Sequence, residues 1–289
     1  MNQSNEYIDH NRQKKIAVIN DVTGFGRCSV AVQLPIISKL HIQCCAVPTA
    51  ILSNQTGFKS FFIDDYTKHF KEYTAEWKKI DLRFSAITSG FLGSAQQIEM
   101  ISDFIKEFDN GAPIIIIDPV MGDHGHLYPN YTPEMSRAMK RLIGHAEIIT
   151  PNLTEACFLC DSPYHEGKWT KKEIKVLMDK LTRLGPGKIV ITGISQGEFV
   201  ANAVYDPSST DEILFTRQAK VGTERNGTGD VFSAIIAADA VNHVPFIQSV
   251  KRASRFVKLC IEKSIEMGIP NTDGVAFEEV IDRLKPYNK

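Results

Sequence analysis

The sequence predicts an α/β fold with a mostly parallel central sheet, because short apolar runs alternate with helical patterns along most of its 289 residues. Residues 114–117 are four consecutive isoleucines, a run typical of a strand buried on both faces. Residues 64–77 instead carry apolar side chains at helical spacing, as an amphipathic helix does. Alternation of these two patterns indicates βαβ units, in which helices cover a sheet of parallel strands.

Six apolar runs are predicted as strands of this sheet, because each is short and is bounded by polar or turn-forming residues. They are residues 15–20, 42–48, 84–88, 113–118, 147–150 and 188–192. Two further segments, 199–205 and 212–217, have β propensity and flank the turn Asp206-Pro207-Ser208-Ser209. This pair predicts an antiparallel hairpin.

Helices are predicted between the strands, where apolar residues recur with helical spacing. They are residues 29–40, 64–77, 94–108, 132–143, a helix from about Leu153, and 171–184, followed by three helices that close the chain. Ser94 supplies an N-cap for the third of these helices. The sequence has no internal repeat and no linker long enough to mark a domain boundary, so residues 15–289 are expected to form a single domain.

Composition fits a globular protein with a large core, since 43% of the residues are hydrophobic and 23% are charged. The net charge of −1 argues against a nucleic-acid partner, which would need clustered positive charge. Residues 1–14 are polar and lack the apolar segment of a signal peptide or membrane anchor. We therefore expect a flexible tail over 1–14, no membrane association and a cytoplasmic location. The six cysteines offer one C-x-x-C, Cys157 to Cys160, without a second pair of ligands, and free thiols are expected.

A glycine-rich turn, Asn226-Gly227-Thr228-Gly229-Asp230, runs directly into an apolar, alanine-rich helix. The start of a helix presents unpaired backbone N–H groups and the positive end of the helix dipole, which together suit a phosphoryl group. Asp230 beside such a site is a candidate base for a substrate hydroxyl that attacks phosphorus. The alternative is that Asp230 only complements the helix dipole, as acidic residues in a first helical turn often do.

Polar residues also follow two predicted strands, at the edge of the sheet where ligands bind in parallel α/β folds. They are Asp118 and Asp123 after the fourth strand, and Thr150, Asn152 and Glu155 after the fifth. Carboxylate and amide oxygens are ligands that Mg²⁺ accepts while it keeps waters and phosphates for its other positions, so these residues predict a Mg²⁺-nucleotide site. The alternative is helix capping, with Asn152 as the N-cap and Glu155 as its capping-box partner.

Two other loops carry weaker signals. The turn Gly24-Phe25-Gly26-Arg27-Cys28-Ser29 resembles a dinucleotide-binding fingerprint, but serine stands where the third glycine is expected and no acidic residue ends the second strand. NAD binding is therefore a distant alternative. The loop Ser53-Asn54-Gln55-Thr56-Gly57 follows the second strand and offers side chains that could hold a small polar ring, although it is equally consistent with an ordinary surface turn.

Several of these motifs, in this order and spacing, resemble the ribokinase-like superfamily. The motifs are DPVMGD at 118–123, TPNLTE at 150–155 and GTGD at 227–230. With SNQTG at 53–57 and TSGFLG at 88–93, the resemblance narrows to the pyridoxal, pyridoxine and pyridoxamine (vitamin B6) kinases and covers about residues 15–267. It implies a three-layer αβα fold without a large separate lid domain, flexible flaps over the site, and a homodimer.

The resemblance also implies roles for individual residues. Asp230 matches the catalytic base, and Gly227, Thr228 and Gly229 match the anion hole. The residues matched to ATP are Asp118, Asp123, Tyr128, Thr150, Asn152, Glu155 and Thr192, of which Asp118, Asn152 and Glu155 surround Mg²⁺. The residues matched to the substrate are Asn20, Asp21, Ser53, Thr56 and Phe91. A serine of classical pyridoxal kinases falls near Asn20 or Asp21, and a ring-stacking tyrosine of some relatives falls at Phe91, which leaves the preferred vitamer open.

The implied function is ATP-dependent phosphorylation of the 5′-hydroxymethyl group of a B6 vitamer, with ATP and Mg²⁺ as cofactors and a monovalent cation such as K⁺ left open. One alternative is a hydroxymethylpyrimidine kinase, a family whose members usually carry cysteine at the position of Asp230. The other is a ligand-binding protein that keeps the fold without turnover. An intact aspartate at 230 favours the enzyme, because a binding protein has no need of a base.

Overall fold

The computed structural model describes residues 9–129 and 131–287, and the chain forms alternating strands and helices within them. The strands are β1 (Lys15–Phe25), β2 (Gln43–Asn54), β3 (Ile63–Asp65), β4 (Ala86–Ser89), β5 (Ile114–Ile117), β6 (Gly122–Asp123), β7 (His126–Leu127), β8 (Ile148–Ile149), β9 (Lys188–Gln196), β10 (Phe199–Asp206) and β11 (Thr210–Ala219). The helices are α1 (Ser29–Lys39), α2 (Thr67–Lys79), α3 (Ala95–Glu107), α4 (Pro133–Ile143), α5 (Leu153–Leu159), α6 (Lys171–Thr182), α7 (Thr228–Val241) and α8 (Phe246–Glu266).

Nine of the strands form one sheet in the order β11-β10-β9-β8-β5-β4-β1-β2-β3. The pairs from β9 across to β2 are parallel, while β3 pairs antiparallel with β2 and the β10–β11 hairpin continues antiparallel from β9. The predicted mostly parallel sheet and the predicted hairpin are both present. Since β1, β4, β5 and β8 are neighbours, the residues at their carboxyl ends meet at one edge of the sheet.

Helices cover both faces of the sheet. Alternate residues of β1 show this, because Ile16 and Val18 belong to the core under α1, α7 and α8, whereas Ala17 and Ile19 belong to the core under α2 to α6. Helix α7 is apolar nearly all round and is buried over most of its length, as its composition predicts. Of the strands in the described residues, only β6 and β7 lie outside the main sheet, where they form a small hairpin. The αβα architecture without a large separate lid is thus confirmed.

Three local predictions are wrong, each because the signal was short or was overridden by tertiary packing. Residues 64–65 are the end of β3 rather than the start of a helix, and α2 begins at Thr67, whose N–H is capped by Asp65 Oδ1 at 2.8 Å. Ser53 and Asn54 lie in β2 rather than in a loop. The third closing helix is replaced by short 3-10 turns at Asn271–Asp273 and Ile281–Arg283.

The predicted flexible tail at 1–14 lies partly outside the described residues. From Asn11 onward the backbone is tied to the domain, since Asn11 Nδ2 donates to the Asp81 carbonyl at 2.8 Å and its Oδ1 accepts from Arg83 N at 2.8 Å. Lys14 Nζ also donates to the Val241 carbonyl at 3.0 Å. None of the helices in the described part of the chain is long and apolar enough to span a membrane.

Candidate active site

The start of α7 is an open helix end at the carboxyl edge of the sheet. Gly227 is its N-cap with a φ of 78°, and the first helical bond runs from Val231 N to the Gly227 carbonyl at 3.0 Å. No side chain among the described residues caps this end. The N–H groups of Thr228, Gly229 and Asp230 therefore lack helical acceptors, as an anion hole requires. The Thr228 hydroxyl donates to the Arg225 carbonyl at 3.1 Å and fixes the turn that precedes the helix.

Asp230 lies in the first turn of α7 and is half-buried. Its Oδ1 accepts a hydrogen bond from Asn20 Nδ2 at 3.2 Å. Burial, followed by the charge of Asp21, raises the pKa of Asp230 to about 6, while a backbone hydrogen bond from Ser29 and the Asn20 amide oppose that rise. A carboxylate with this pKa is mostly ionised at pH 7 and holds a proton more strongly than an ordinary aspartate, both of which suit a general base.

Asp118 follows β5 and lies close enough to Asp230 for the two charges to interact. Burial raises the pKa of Asp118 to about 7, and the negative charge of Asp230 is the second cause of this rise. The Thr150 hydroxyl moderates this rise, although it makes no regular hydrogen bond with the described residues and is fully buried. Two acidic groups that disfavour each other's ionisation form a place where a cation would be stabilised.

We expect Asp118→Asn to raise the melting temperature at pH 8 in the absence of Mg²⁺. The folded-state pKa of Asp118 is raised from 3.8 to about 7, so this carboxyl destabilises the folded state by an amount that grows as the pH rises from about 4 to about 7, is fully present above pH 7 and disappears below about pH 4. Thermal melting should show a gain of about 2–4 °C at pH 8, the effect of roughly 1 kcal/mol in a chain of this size, a smaller gain at pH 5 and none below about pH 4. If Asp118→Asn instead lowered the melting temperature equally at pH 8 and at pH 5, the negative charge of Asp118 would already be compensated in the folded protein.

Asn152 and Glu155 form the capping box of α5. Asn152 Oδ1 accepts from Glu155 N at 2.9 Å, and Glu155 Oε2 accepts from Asn152 N at 2.8 Å. The other Glu155 oxygen accepts from Met121 N at 3.1 Å, and Asn152 Nδ2 donates to the Gly122 carbonyl at 2.8 Å. The capping alternative raised by the sequence is therefore present. Both side chains are held by these bonds, and Glu155 is close enough to Asp118 for the charges to interact, so burial and then the charge of Asp118 raise the pKa of Glu155.

Asp123 is the last residue of β6 and Tyr128 directly follows β7, in a hairpin that stands over this edge of the sheet. The hairpin is fastened to α5, because Gly125 N donates to the Thr154 hydroxyl at 2.9 Å. At its tip, His124 Nε2 lies 2.7 Å from Glu224 Oε2, in the loop that leads into the α7 turn. This contact joins the predicted flap to the segment that carries the anion hole.

Thr150 directly follows β8, and Thr192 lies within the neighbouring strand β9. Thr192 N donates to the Pro151 carbonyl at 2.9 Å, and Thr192 bridges in parallel to Asn152. The structure therefore brings the residues matched to the nucleotide together with the start of α7. Their roles toward ATP and Mg²⁺ stay predictions.

The residues matched to the substrate divide into two groups. Asn20 and Asp21 are buried in the middle of β1, where Asp21 accepts hydrogen bonds from the hydroxyls of Thr23 and Ser29 at 2.5 Å each. Burial raises the pKa of Asp21 against these hydrogen bonds. Phe91 is half-buried, and its N–H donates to Asn20 Oδ1 at 2.8 Å. The polar groups of Asn20 and Asp21 are thus occupied by the protein itself.

The 53–57 segment belongs partly to its own local structure. Ser53 Oγ donates to Asn54 Oδ1 at 2.7 Å and accepts from Phe62 N at 2.9 Å. Gln55 is buried, and its Nε2 donates to the Thr272 carbonyl at 3.0 Å. Thr56 is exposed, so it is the member of this segment that stays available to a ligand.

The chain matches a known family over most of its length. Residues 32–274 match the model of the phosphomethylpyrimidine kinases. The chain belongs to this family. Pyridoxal kinases are among its relatives, which confirms the resemblance to the B6 kinases of the ribokinase-like superfamily.

Solved structures and curated relatives agree with this membership. A provisionally assigned phosphomethylpyrimidine kinase from Bacteroides thetaiotaomicron VPI-5482 has a TM-score of 0.92 and 35% identity over 98% of both chains. A second structure of the same description, a form with pyridoxal, has a TM-score of 0.90 and 34% identity over 96% of this chain and 98% of that one. The pyridoxine/pyridoxal/pyridoxamine kinase of Bordetella pertussis is 25% identical over 84% of this chain and 87% of its own. The chain spans only about half the length of two other curated relatives, 50% and 47%.

Some residues that shape this kinase-family site were missed from the sequence. Gln33 and Ser233 lie behind Asp230 in adjacent helices, and Glu224 contacts the hairpin tip. Gln33 offered a signal, because it is the one strongly polar residue between Ser29 and Ser38 in an otherwise apolar helix. The other two have no pattern in the sequence, because tertiary packing alone brings them to the site.

Proposed function

We propose that this chain transfers the γ-phosphoryl group of MgATP to the 5′-hydroxymethyl group of a B6 vitamer. The observation that supports this most directly is Asp230, a half-buried carboxylate in the first turn of α7, beside backbone N–H groups that no described side chain caps. A base next to an open anion site is the arrangement that in-line phosphoryl transfer to a hydroxyl needs. The homodimer and the cytoplasmic location implied by the resemblance belong to the same proposal.

The protein's part in this reaction is alignment and charge stabilisation. The N–H groups at the start of α7 would hold the transferred phosphoryl oxygens, and they are fixed in place before substrate arrives. Asp230 Oδ would accept the proton of the attacking hydroxyl as its oxygen bonds to phosphorus. Because such transition states are loose, the base need not be strong, and a pKa of about 6 is sufficient.

Mg²⁺ fits the acidic edge of this site. Burial raises the pKa of both Asp118 and Glu155, helped by the charge of Asp230 at Asp118 and by the charge of Asp118 at Glu155, so a divalent cation would relieve that repulsion. Asp118 would hold the ion most directly. Asn152 and Glu155, whose polar atoms already bond to the backbone, would act through water. When bound, Mg²⁺ would neutralise charge that develops on the phosphate oxygens.

Two observations bear on the substrate. The relative with 34% identity has been solved in a form with pyridoxal, and this chain keeps aspartate at 230, which the resemblance associates with B6 kinases. The family model and a hydroxymethylpyrimidine/phosphomethylpyrimidine kinase of Haemophilus influenzae, 28% identical over 66% of this chain and 70% of its own, favour the pyrimidine instead. Hydroxymethylpyrimidine is therefore the second candidate substrate.

A side-by-side turnover assay tests the proposal. Purified protein is given MgATP with pyridoxal, pyridoxine, pyridoxamine or hydroxymethylpyrimidine, and the phosphorylated product is measured. We expect one of the B6 vitamers to have at least about a tenfold higher kcat/KM than the pyrimidine, a difference of about 1.4 kcal/mol in transition-state binding. A preference for hydroxymethylpyrimidine would change the proposed substrate but not the proposed phosphoryl transfer from MgATP. Absence of product with all four would support the binding protein without turnover.

A further inference from the structure

Asn20 uses all of its side-chain hydrogen-bonding groups within the protein. Its Oδ1 accepts from Phe91 N at 2.8 Å and from its neighbour Asp21 N at 3.0 Å. Its Nδ2 donates to Gln33 Oε1 at 3.0 Å and to Asp230 Oδ1 at 3.2 Å. The orientation of the amide follows from these partners, because two backbone N–H donors require the oxygen and two oxygen acceptors require the nitrogen.

Gln33 fixes Asn20 from behind. Gln33 is 1% exposed, and its Nε2 donates to the Ser233 hydroxyl at 3.3 Å, so its Oε1 is directed at Asn20. Ser233 lies one helical turn after Asp230, and its hydroxyl donates to the Asp230 carbonyl at 3.4 Å. A closed chain of hydrogen bonds thus links Asp230 through Asn20 and Gln33 back to its own helix. A buried amide with every partner satisfied holds a single orientation.

The space for Asn20 depends on a neighbouring glycine. A Cβ at Gly90 would overlap the amide group of Asn20, so any larger residue at 90 would push that amide from its position. Gly90 N also donates to the Ile19 carbonyl at 2.9 Å, which holds the two segments together. Backbone and side chains together therefore restrict the Asn20 amide to one position.

We propose that Asn20 is a positioning residue that holds the Asp230 carboxylate in place, and that Gln33 acts on Asp230 through Asn20. This inference rests on the proposed function, in which Asp230 is the base. It changes the role that the resemblance implies for Asn20, which is contact with the substrate ring. Among the described residues, the titratable groups whose charges interact with Asp230 are Asp21 from β1, Asp118 after β5, Cys28 before α1 and Tyr128 after β7, and none of them is a cation. Among the side chains of the described residues, it is the Asn20 amide that donates a hydrogen bond to the Asp230 carboxylate.

Steady-state kinetics with the best substrate of the four-compound panel tests the proposal. We expect Asn20→Ala to lower kcat about 10- to 100-fold, the loss expected when a hydrogen bond to a charged group is removed, and to leave KM for the substrate within about threefold. Gln33→Met, which cannot reach the substrate, should lower kcat in the same direction by about three- to tenfold. Thr74→Val, which removes a buried hydroxyl of α2 on the other face of the sheet, controls for general destabilisation.

Double variants separate positioning from independent effects. If Gln33 acts through Asn20, the Asn20→Ala/Gln33→Met protein should be no slower than Asn20→Ala within about twofold. If Asn20 acts through Asp230, adding Asn20→Ala to Asp230→Asn should change the remaining rate less than about threefold. A raised KM with unchanged kcat for Asn20→Ala, or losses that multiply in both double variants, would overturn the proposal and restore the ring-contact role.

A crystal structure of Asn20→Ala decides the inference independently of any substrate. We expect the Asp230 carboxylate to leave its position or to occupy more than one rotamer. An Asp230 carboxylate unchanged in place would overturn the inference even if the parent protein is an active kinase. Failure of the parent to phosphorylate any compound of the panel would instead count against the proposed function alone, since the position of Asp230 in the crystal is read without turnover.

Discussion

Replacing Asp230 with asparagine is expected to lower kcat by roughly 10²–10⁴, the usual range for loss of a general base, while ATP and the vitamer bind within a few-fold of the parent. The substitution keeps the size of the side chain and removes its ability to accept a proton. Because burial and the Asp21 charge disfavour the ionised form of Asp230, the neutral amide should also leave stability equal to or above that of the parent at pH 8. Steady-state kinetics and thermal melting on one preparation measure both effects.

Asp239 provides a matched control on the same helix. It is fully buried, its Oδ1 lies 2.5 Å from Arg252 Nη1, and its Oδ2 accepts from Ser249 at 2.9 Å. Asp239→Asn should reduce stability, because Arg252 loses its charged partner, and should leave kcat nearly unchanged. If a folded Asp230→Asn protein turned over at the parent's rate, Asp230 would be only a complement to the helix dipole, and the base would have to be sought elsewhere.

Gly227→Ala is expected to be the most destabilising single change at the site, by about 2–6 kcal/mol. The residue at 227 has a φ of 78°, which costs an L-residue about 1–3 kcal/mol. A Cβ there would also overlap the carbonyl oxygen of Arg27, and backbone cannot move aside as a flexible side chain can, which adds about 1–3 kcal/mol. Denaturant titration measures the loss, and phosphoryl transfer should fall with it because the N–H groups of the turn would be displaced.

Gly229→Ala separates backbone strain from phosphate access. A Cβ at 229 would meet no atom of the described residues within 4 Å, and the position has no positive φ. We expect this variant to melt within a degree or two of the parent, whereas any loss of activity would report a methyl group in the space of the phosphate. Equal stability of Gly227→Ala and Gly229→Ala would show that the turn tolerates a side chain and is not the rigid anion site proposed.

The part of the site that could be predicted from the sequence consists of residues that follow buried strands. Asp118 and Thr150 come directly after isoleucine runs and Asn152 follows two residues after Thr150, and parallel strands bring their carboxyl ends together whatever the details of packing. Asp230 could be predicted as part of the site because a glycine turn before an apolar helix leaves backbone N–H groups free to bind an anion. Composition and periodicity were likewise enough to predict the layered α/β fold.

Other features depend on contacts that leave no local trace. Strands of two or three residues, such as β3 and the β6–β7 hairpin, are too short to show a period of two. The contact of His124 with Glu224 joins segments 100 residues apart. The position of Asn20 in the chain matches a substrate-contacting serine, whereas the hydrogen bonds of its amide to Gln33 and Asp230 have no signal in the sequence. The partners of a buried amide cannot be inferred from sequence spacing.

The hydrogen bond between Asn20 and Asp230 joins residues that are 210 positions apart. At a synthesis rate of about 5–20 residues per second, a ribosome needs roughly 10–40 s to add the second partner after the first. During that interval β1 and α1 exist without α7 and α8, and the apolar face that these helices later cover is exposed to solvent or to other chains. The contact between Asn20 and Asp230 therefore forms late in the production of the chain, and we expect the yield of folded protein to depend on protection of the β1–α1 surface during translation.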